Sequence, residues 1–315
     1  MAAYALSEAM QAFVERTCSF ASKDPSLAAQ REAYLRMAAA FTPPMPAGLV
    51  QTDHSPHGGP PLRSYRPAQP CPPGGWPTLM YLHGGGWTLG NLDSHDFICR
   101  PLALALGAHV VAVDYRLAPE HPYPAALEDA ITAWRYLCAQ PHVDAQAMLV
   151  AGDSAGGNLA AALCLALRPH GGPQPCGQAL IYPLLGPGGT PAYREHAHAP
   201  LLCAEDAQAC LRAYLGTPAA QGALALPLQA DTLAGLPAAF IGVAQIDPLR
   251  DDGALYRDRL AAQGVAVEWL EVAGWLHGGL RAQHSEQTRS LVEAMLAWMA
   301  QRLAAARQPA QSPGG

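Results

Sequence analysis

AMLVAGDSAGGNLAAALCLALRP, residues 147–169, decides the fold. An apolar run from Ala147 to Ala151 stops at Gly152, and an Ala- and Leu-rich stretch long enough for a helix starts at Ala155. A short apolar run bounded by glycine suits a buried strand, so the segment reads as strand, sharp turn, helix. Ser154 sits in the turn, fenced by Gly152 and Gly156. Such a turn tolerates only tiny neighbours, and it lifts a serine hydroxyl to the C-terminal edge of a sheet, at the positive end of the helix dipole.

Working outward, the same alternation repeats. Apolar strand patterns cover 78–84, 109–116, 147–153, 178–183, 238–247 and 266–273. Helical patterns cover 96–107, 126–140, 155–169, about 252–263 and about 284–305. Short, almost wholly apolar strands separated by helices indicate a parallel sheet covered on both faces, an α/β class. Two amphipathic helices, 4–17 and 26–40, precede it, and a Pro- and Gly-rich stretch at 48–77 holds an antiparallel pair near Leu49–Asp53 and Leu62–Arg66. Residues 184–225 break the rhythm with one helix near 203–215, which suits part of a lid or cap rather than a compact core. The closing QPAQSPGG has the composition of a disordered tail, assigned to 309–315.

Bulk properties exclude several function classes. The chain has 315 residues and a net charge of −6, so there is no electrostatic case for nucleic acid or an anionic membrane as partner. The eight cysteines form no CxxC pair, and reduced thiols in a chain of this length fit a cytoplasmic location. The opening MAAYALSEAMQAFVERTC carries Glu8 and Glu15 and does not read as a signal peptide. No uninterrupted apolar stretch reaches the roughly 18 residues of a membrane span. Glu195, His196 and His198 have the look of metal ligands but lack partners nearby, so no metal and no cofactor is expected.

A serine hydroxyl needs a base, and the base needs an acid to hold its tautomer. In hydrolases of this architecture the chain order is Ser, acid, His. His277, in WLHGG after the last strand, is the candidate base; His284 falls at the start of the final helix and reads as a surface residue. Asp247, at the end of a strand and followed by Pro248, is the candidate acid, with Asp251 and Asp252 as alternatives more suited to capping the next helix. Attack on a carbonyl creates an oxyanion, best met by backbone N–H groups without side chains. Gly84 and Gly85 of HGGGW (83–87), with Ala155 after the nucleophile, are the candidate donors. His83 is expected to brace that loop. Trp87, Asp153 and Leu202 are assigned to the substrate pocket, Asp153 chiefly as a hydrogen-bonded carboxylate beneath the elbow.

YLHGGGWTLGNLDSHD (81–96), VVAVDYRLAPEHPYPAALED (110–129), GDSAGGNLAA (152–161), IYPLL (181–185) and DPLRDDG (247–253) together resemble the hormone-sensitive lipase family of α/β-hydrolases, in its bacterial esterase branch. That resemblance implies an α/β-hydrolase fold with a mostly parallel eight-stranded sheet. It implies a core of 46–183 and 226–308 under a helical cap made by 1–45 and the insertion 184–225. It also implies a metal-independent carboxylesterase for short- to medium-chain acyl esters, with Ser154, Asp247 and His277 as triad and Gly84, Gly85 and Ala155 as oxyanion hole. Where relatives often carry an aromatic two residues after the histidine, this chain has Gly279, which is expected to loosen the wall behind His277. Asp114, Arg116 and Glu120 are expected to form one structural polar network. An amidase or carbamate hydrolase would use the same machinery, and a non-catalytic small-ligand receptor could use the same fold; the latter is disfavoured by His277. A homodimer through the strand at Ala266–Ala273 is a further expectation.

Overall fold

The computed structural model describes residues 4–170, 172–216 and 222–308; the tail assigned to 309–315 lies outside them. The strands are β1 (Leu49–His54), β2 (Leu62–Pro67), β3 (Trp76–Leu82), β4 (His109–Val113), β5 (Val143–Asp153), β6 (Gly177–Ile181), β7 (Ala239–Ile246) and β8 (Val267–Leu276). They form one sheet in the order β1-β2-β4-β3-β5-β6-β7-β8. β1 and β2 pair antiparallel, β2 meets β4 antiparallel, and every later pairing is parallel. The expected α/β-hydrolase architecture, mostly parallel and eight-stranded, is what the chain adopts.

Two cores lie on opposite faces of that sheet, because alternate side chains of a strand point to opposite sides. In β3, Met80 and Leu82 join one core, while Leu79 and Tyr81 join the other. The first core is closed by α4 (Ala125–Cys138), α5 (Ala155–Leu167) and α8 (Arg250–Ala262); the second by α3 (Asp96–Leu106) and α9 (Glu286–Ala306). Strands buried on both faces show no polar alternation, which is why β3 and β4 read as continuous apolar runs.

Glycines allow α5 to approach the sheet closely. A Cβ on Gly156 would strike the carbonyl oxygen of Leu82, and one on Gly152 would strike the carbonyl oxygen of Gly156. The requirement inferred for tiny neighbours of Ser154 is thus a backbone-against-backbone contact. Sequence and structure differ most at the ends of strands. β5 begins at Val143 rather than 147, β4 ends at Val113 rather than 116, and β8 runs to Leu276, three residues past the expected 273. β8 extends because its register against β7 shifts between Ala244 and Ile246, after which Ile246 pairs with Leu276.

The remaining helices are α1 (Glu8–Cys18), α2 (Leu27–Phe41), α6 (Pro191–Glu195) and α7 (Ala204–Leu215). The segment from Leu185 to Glu195 is bolted to the first turn of α8. Asp252 Oδ2 accepts from the amides of Leu185 (2.8 Å) and Gly186 (2.9 Å), Asp251 Oδ2 accepts from the Ala192 amide (2.8 Å), and Arg250 donates to Glu195 (2.8 Å). Asp251 and Asp252 therefore occupy the first turn of α8 as expected, but their carboxylates brace 185–192 instead of capping their own helix. Glu195 and His196 also serve this junction: His196 is buried, with Nε2 3.2 Å from Arg250 Nη1. Burial pushes the Asp252 carboxyl up to about 7, aided by the negative charges of Asp247 and Asp251 and opposed by its two amide partners.

Two outcomes follow. Gly156→Ala should cost at least about 3 kcal/mol in urea unfolding, because fixed backbone cannot yield to the new methyl. Gly107→Ala, at the left-handed end of α3 with φ +57 and open space around it, should cost only about 1 kcal/mol. Equal losses would show that the elbow contact is not special. Between the ordinary carboxyl value of 3.8 and about 7, folded Asp252 keeps a proton that the unfolded chain has lost. Its contribution is therefore complete below the lower value and fades as pH rises through the upper one, by up to about 1.4 kcal/mol per pH unit. Asp252→Asn should remove that component from the stability–pH curve; an unchanged curve would refute the assignment.

Candidate active site

Four loops reach the C-terminal edge of the parallel strands, where sites in open α/β sheets gather. They carry residues 83–87 after β3, Ser154 after β5, Asp247 after β7 and His277 after β8. Ser154 has φ 54 and ψ −118, backbone that a non-glycine residue rarely occupies and that the surroundings must enforce. Its amide donates to the Ile181 carbonyl at 2.8 Å, pinning the turn to β6.

The three distant residues meet. His277 Nε2 lies 2.9 Å from Ser154 Oγ, and His277 Nδ1 lies 2.7 Å from Asp247 Oδ2. Asp247 is fully buried, and its other oxygen accepts from the Leu249 amide at 2.8 Å. A carboxylate can only accept, so Nδ1 carries the proton and Nε2 offers its lone pair to the serine hydroxyl. Asp251 and Asp252, committed to the insertion, are not the partners of His277. His284 is exposed, as expected.

Gly84 requires a correction. Its amide donates to Asp153 Oδ1 at 3.1 Å and is therefore not available to an oxyanion. The amides of Gly85 and Gly86 donate to no group among the described residues, and both residues line the cavity beside Ser154. Ala155 opens α5, where first-turn amides lack helical acceptors. Gly86, at φ +60, is the residue that sequence reasoning missed; a Cβ there would strike Cys210 Sγ. His83 braces the loop through Nδ1 to the Gly84 carbonyl (2.8 Å) and stacks on Tyr115 at 4.2 Å. Burial pushes its imidazole down to about 3, so it stays neutral.

Asp153 is buried beneath the elbow, accepting from Tyr81 Oη (2.9 Å) and facing His95 Nε2 (3.2 Å). Burial alone would raise its carboxyl, but His95, the Arg281 cation and the Tyr81 hydroxyl outweigh that and hold it below the usual carboxylate range. Trp87 is buried and stacks on Tyr214 of α7 at 4.1 Å. With Leu202, Leu184 and Leu249 it walls a cavity of about 540 Å³ that contains Ser154 and His277; α1 and α2 contribute Phe13, Thr17 and Tyr34.

The wall behind His277 is not loosened. Tyr182 packs on the imidazole at 4.5 Å and Trp275 packs on Tyr182 at 5.2 Å, while a Cβ on Gly279 would strike the Trp275 indole. Trp275 fills from one side the volume that Gly279 vacates. The expected network of Asp114, Arg116 and Glu120 also divides. Arg116 Nε pairs with Asp129 at 3.0 Å, Glu120 pairs with Arg31 of α2 at 2.7 Å, and burial pushes the Asp114 carboxyl up to about 6.

Comparison with known proteins agrees with this arrangement. A family described as alpha/beta hydrolase fold matches residues 79–281. Esterase LipI of Mycobacterium tuberculosis is 46% identical over 211 residues, which cover 64% of this chain and 65% of that one. Carboxylesterase NlhH of the same species is 43% identical over 227 residues, covering 69% and 70%. The crystal structure of an esterase from the bacterial hormone-sensitive lipase family superposes with a TM-score of 0.86 at 27% identity, over 95% of this chain and 99% of that one. With that fold and these relatives, the chain belongs to the α/β-hydrolases, in the bacterial hormone-sensitive lipase family.

Proposed function

We propose that this chain is a serine carboxylesterase acting on short- to medium-chain acyl esters through an acyl-enzyme. The observation that carries the reading is the continuous relay from buried Asp247 through His277 to Ser154 Oγ, with contacts of 2.7 and 2.9 Å. Relatives named esterase and carboxylesterase support a carboxylic ester hydrolase. Ser154 Oγ attacks the ester carbonyl while His277 Nε2 takes its proton, and Asp247 stabilises the imidazolium. The oxyanion is met by the amides of Gly85, Gly86 and Ala155, with Gly86 in the place first given to Gly84. The alcohol leaves with the proton from His277, and water then attacks the acyl-enzyme by the same route in reverse. The described residues of segments 1–45 and 184–225 form the cap over the cavity, and a volume of about 540 Å³ suits a modest acyl chain better than a long lipid.

No helix among the described residues is long and apolar enough to cross a membrane. All eight cysteines are free, which suits the reducing conditions of the cytoplasm. β8 closes one edge of the sheet with unpaired backbone groups, and we assign to it the homodimer contact.

Ser154→Ala should lower kcat on a p-nitrophenyl ester by about 10⁴–10⁶-fold, and Asp247→Asn by about 10⁴-fold through loss of the correct tautomer. Near-normal turnover in the serine variant would overturn the reading. A fluorophosphonate should label the wild type at Ser154; failure to react would favour a receptor that holds ligands without turnover. Sedimentation of the wild type should give twice the monomer mass, and a monomer would retire the β8 contact.

A further inference from the structure

Arg281 is a buried charge for which the proposed mechanism has no use. It lies four residues after His277, on the turn Gly279–Arg281, and is 6% exposed. Its guanidinium sits over the rings of Tyr34 (5.1 Å) and Phe97 (4.9 Å), and Nη2 donates to Tyr34 Oη at 2.6 Å. Nε is buried without a partner, and Nη1 donates to no group among the described residues. No carboxylate among these residues stands within ion-pair distance of it. Asp153 is close enough to feel the Arg281 cation, but its hydrogen bonds go to Tyr81, Gly84 and His95 and none to the guanidinium.

The surrounding hydroxyls are in the same position. Tyr34 Oη accepts from Arg281, and its own proton has no acceptor among the described residues. Thr17 Oγ1, on α1, is buried without a partner. Arg281, Tyr34 and Thr17 all line the cavity that holds Ser154 and His277. Asp206, the other acid on that lining, is exposed and accepts from Cys203 Sγ. One part of the cavity wall thus offers unspent N–H and O–H donors on and beside a cationic side chain, while Leu184, Leu202 and Leu249 supply an apolar part. A buried guanidinium N–H left without an acceptor is costly to a fold. Clamping α2 to the core would need only the two ring contacts and one hydrogen bond; the guanidinium N–H groups left over call for an acceptor on a ligand, and a carboxylate with its two oxygens matches that fork.

We propose, resting on the ester-hydrolase reading above, that the substrates carry a free carboxylate. Arg281 and Tyr34 hold that carboxylate while the ester carbonyl lies at Ser154. Half-esters of dicarboxylic acids carry it on the acyl side, and O-acylated hydroxy acids carry it on the alcohol side. In either case the acyl C–O bond breaks, water supplies hydroxyl to the acyl group and a proton to the alcohol, and nothing else is consumed. Arg281 is then a specificity residue that binds substrate.

The test compares kcat/KM for monomethyl succinate, glutarate and adipate with their dimethyl esters, and for O-acetyl-lactate with its methyl ester. The wild type should prefer the carboxylate-bearing member of at least one pair by about tenfold or more. Arg281→Met should cut that ratio by about 10–100-fold, the worth of a charged hydrogen bond, mostly through KM, and Arg281→Lys should restore part of it. A wild type that prefers the neutral ester in every pair overturns the proposal, as does an Arg281→Met variant that loses both members equally. Calorimetric titration of Ser154→Ala with glutarate and with glutaramide needs no turnover and keeps Arg281 in place. About tenfold tighter binding of the dianion supports the proposal, and equal binding overturns it. Cleavage of the neutral esters without any carboxylate preference would sink this inference alone, whereas failure to cleave any ester would sink the hydrolase reading itself.

Discussion

At Gly156 the backbone of α5 passes so near the carbonyl oxygen of Leu82 that no side chain fits between them. The end of β3, the turn at Ser154 and the start of α5 are held as one block by that approach. The Gly84 amide adds a second fastening by donating to the carboxylate of Asp153, the residue directly before the nucleophile. The loop offering free amides and the serine they serve therefore move together. Donors that need no rearrangement when charge develops are the most effective kind, and this loop is fixed by close backbone packing and by the buried side chains of Asp153 and His83.

The basic half of the site is built on the other side of Ser154. Asp247 ends β7 and His277 ends β8, and the shifted register between these strands carries β8 far enough to bring the imidazole to the serine. Tyr182, which follows β6, packs against His277 and is backed by Trp275. Trp275 Nε1 in turn donates to Thr288 of α9. A chain of packed rings thus ties the orientation of the histidine to the second core, and buried Asp247 holds the imidazole with one oxygen while the Leu249 amide fixes the other.

Much of this was legible in the sequence, because the signals were local. Apolar runs marked the strands, and glycines on both sides of Ser154 marked the elbow. Asp247 and His277 were legible because each closes a strand pattern. What escaped detection depended on partners distant in the chain. Gly84, Gly85 and Gly86 are identical as letters, and only the position of Asp153 decides which amide is spent. Gly279 reads as a missing aromatic until Trp275 is seen to occupy its space. Asp251 and Asp252 have the composition of a helix start, yet their oxygens face a loop some sixty residues earlier. Arg281 gave no signal, since a lone arginine after a histidine is unremarkable until its buried N–H groups are seen to lack acceptors.

The two sides of the cavity are fastened by different forces. On the insertion side, Asp252 holds the backbone amides of Leu185 and Gly186 from a fully buried position, beyond the reach of dissolved ions. On the opposite side, α2 is tied down partly by Arg31 to Glu120, a pair whose side chains are 28% and 51% exposed. Exposed pairs weaken as counter-ions accumulate, while buried ones are little affected. Raising the ionic strength therefore weakens the Arg31–Glu120 tie of α2 while leaving the Asp252 anchorage of the facing segment intact, so the two flanks of the cavity respond unequally to salt.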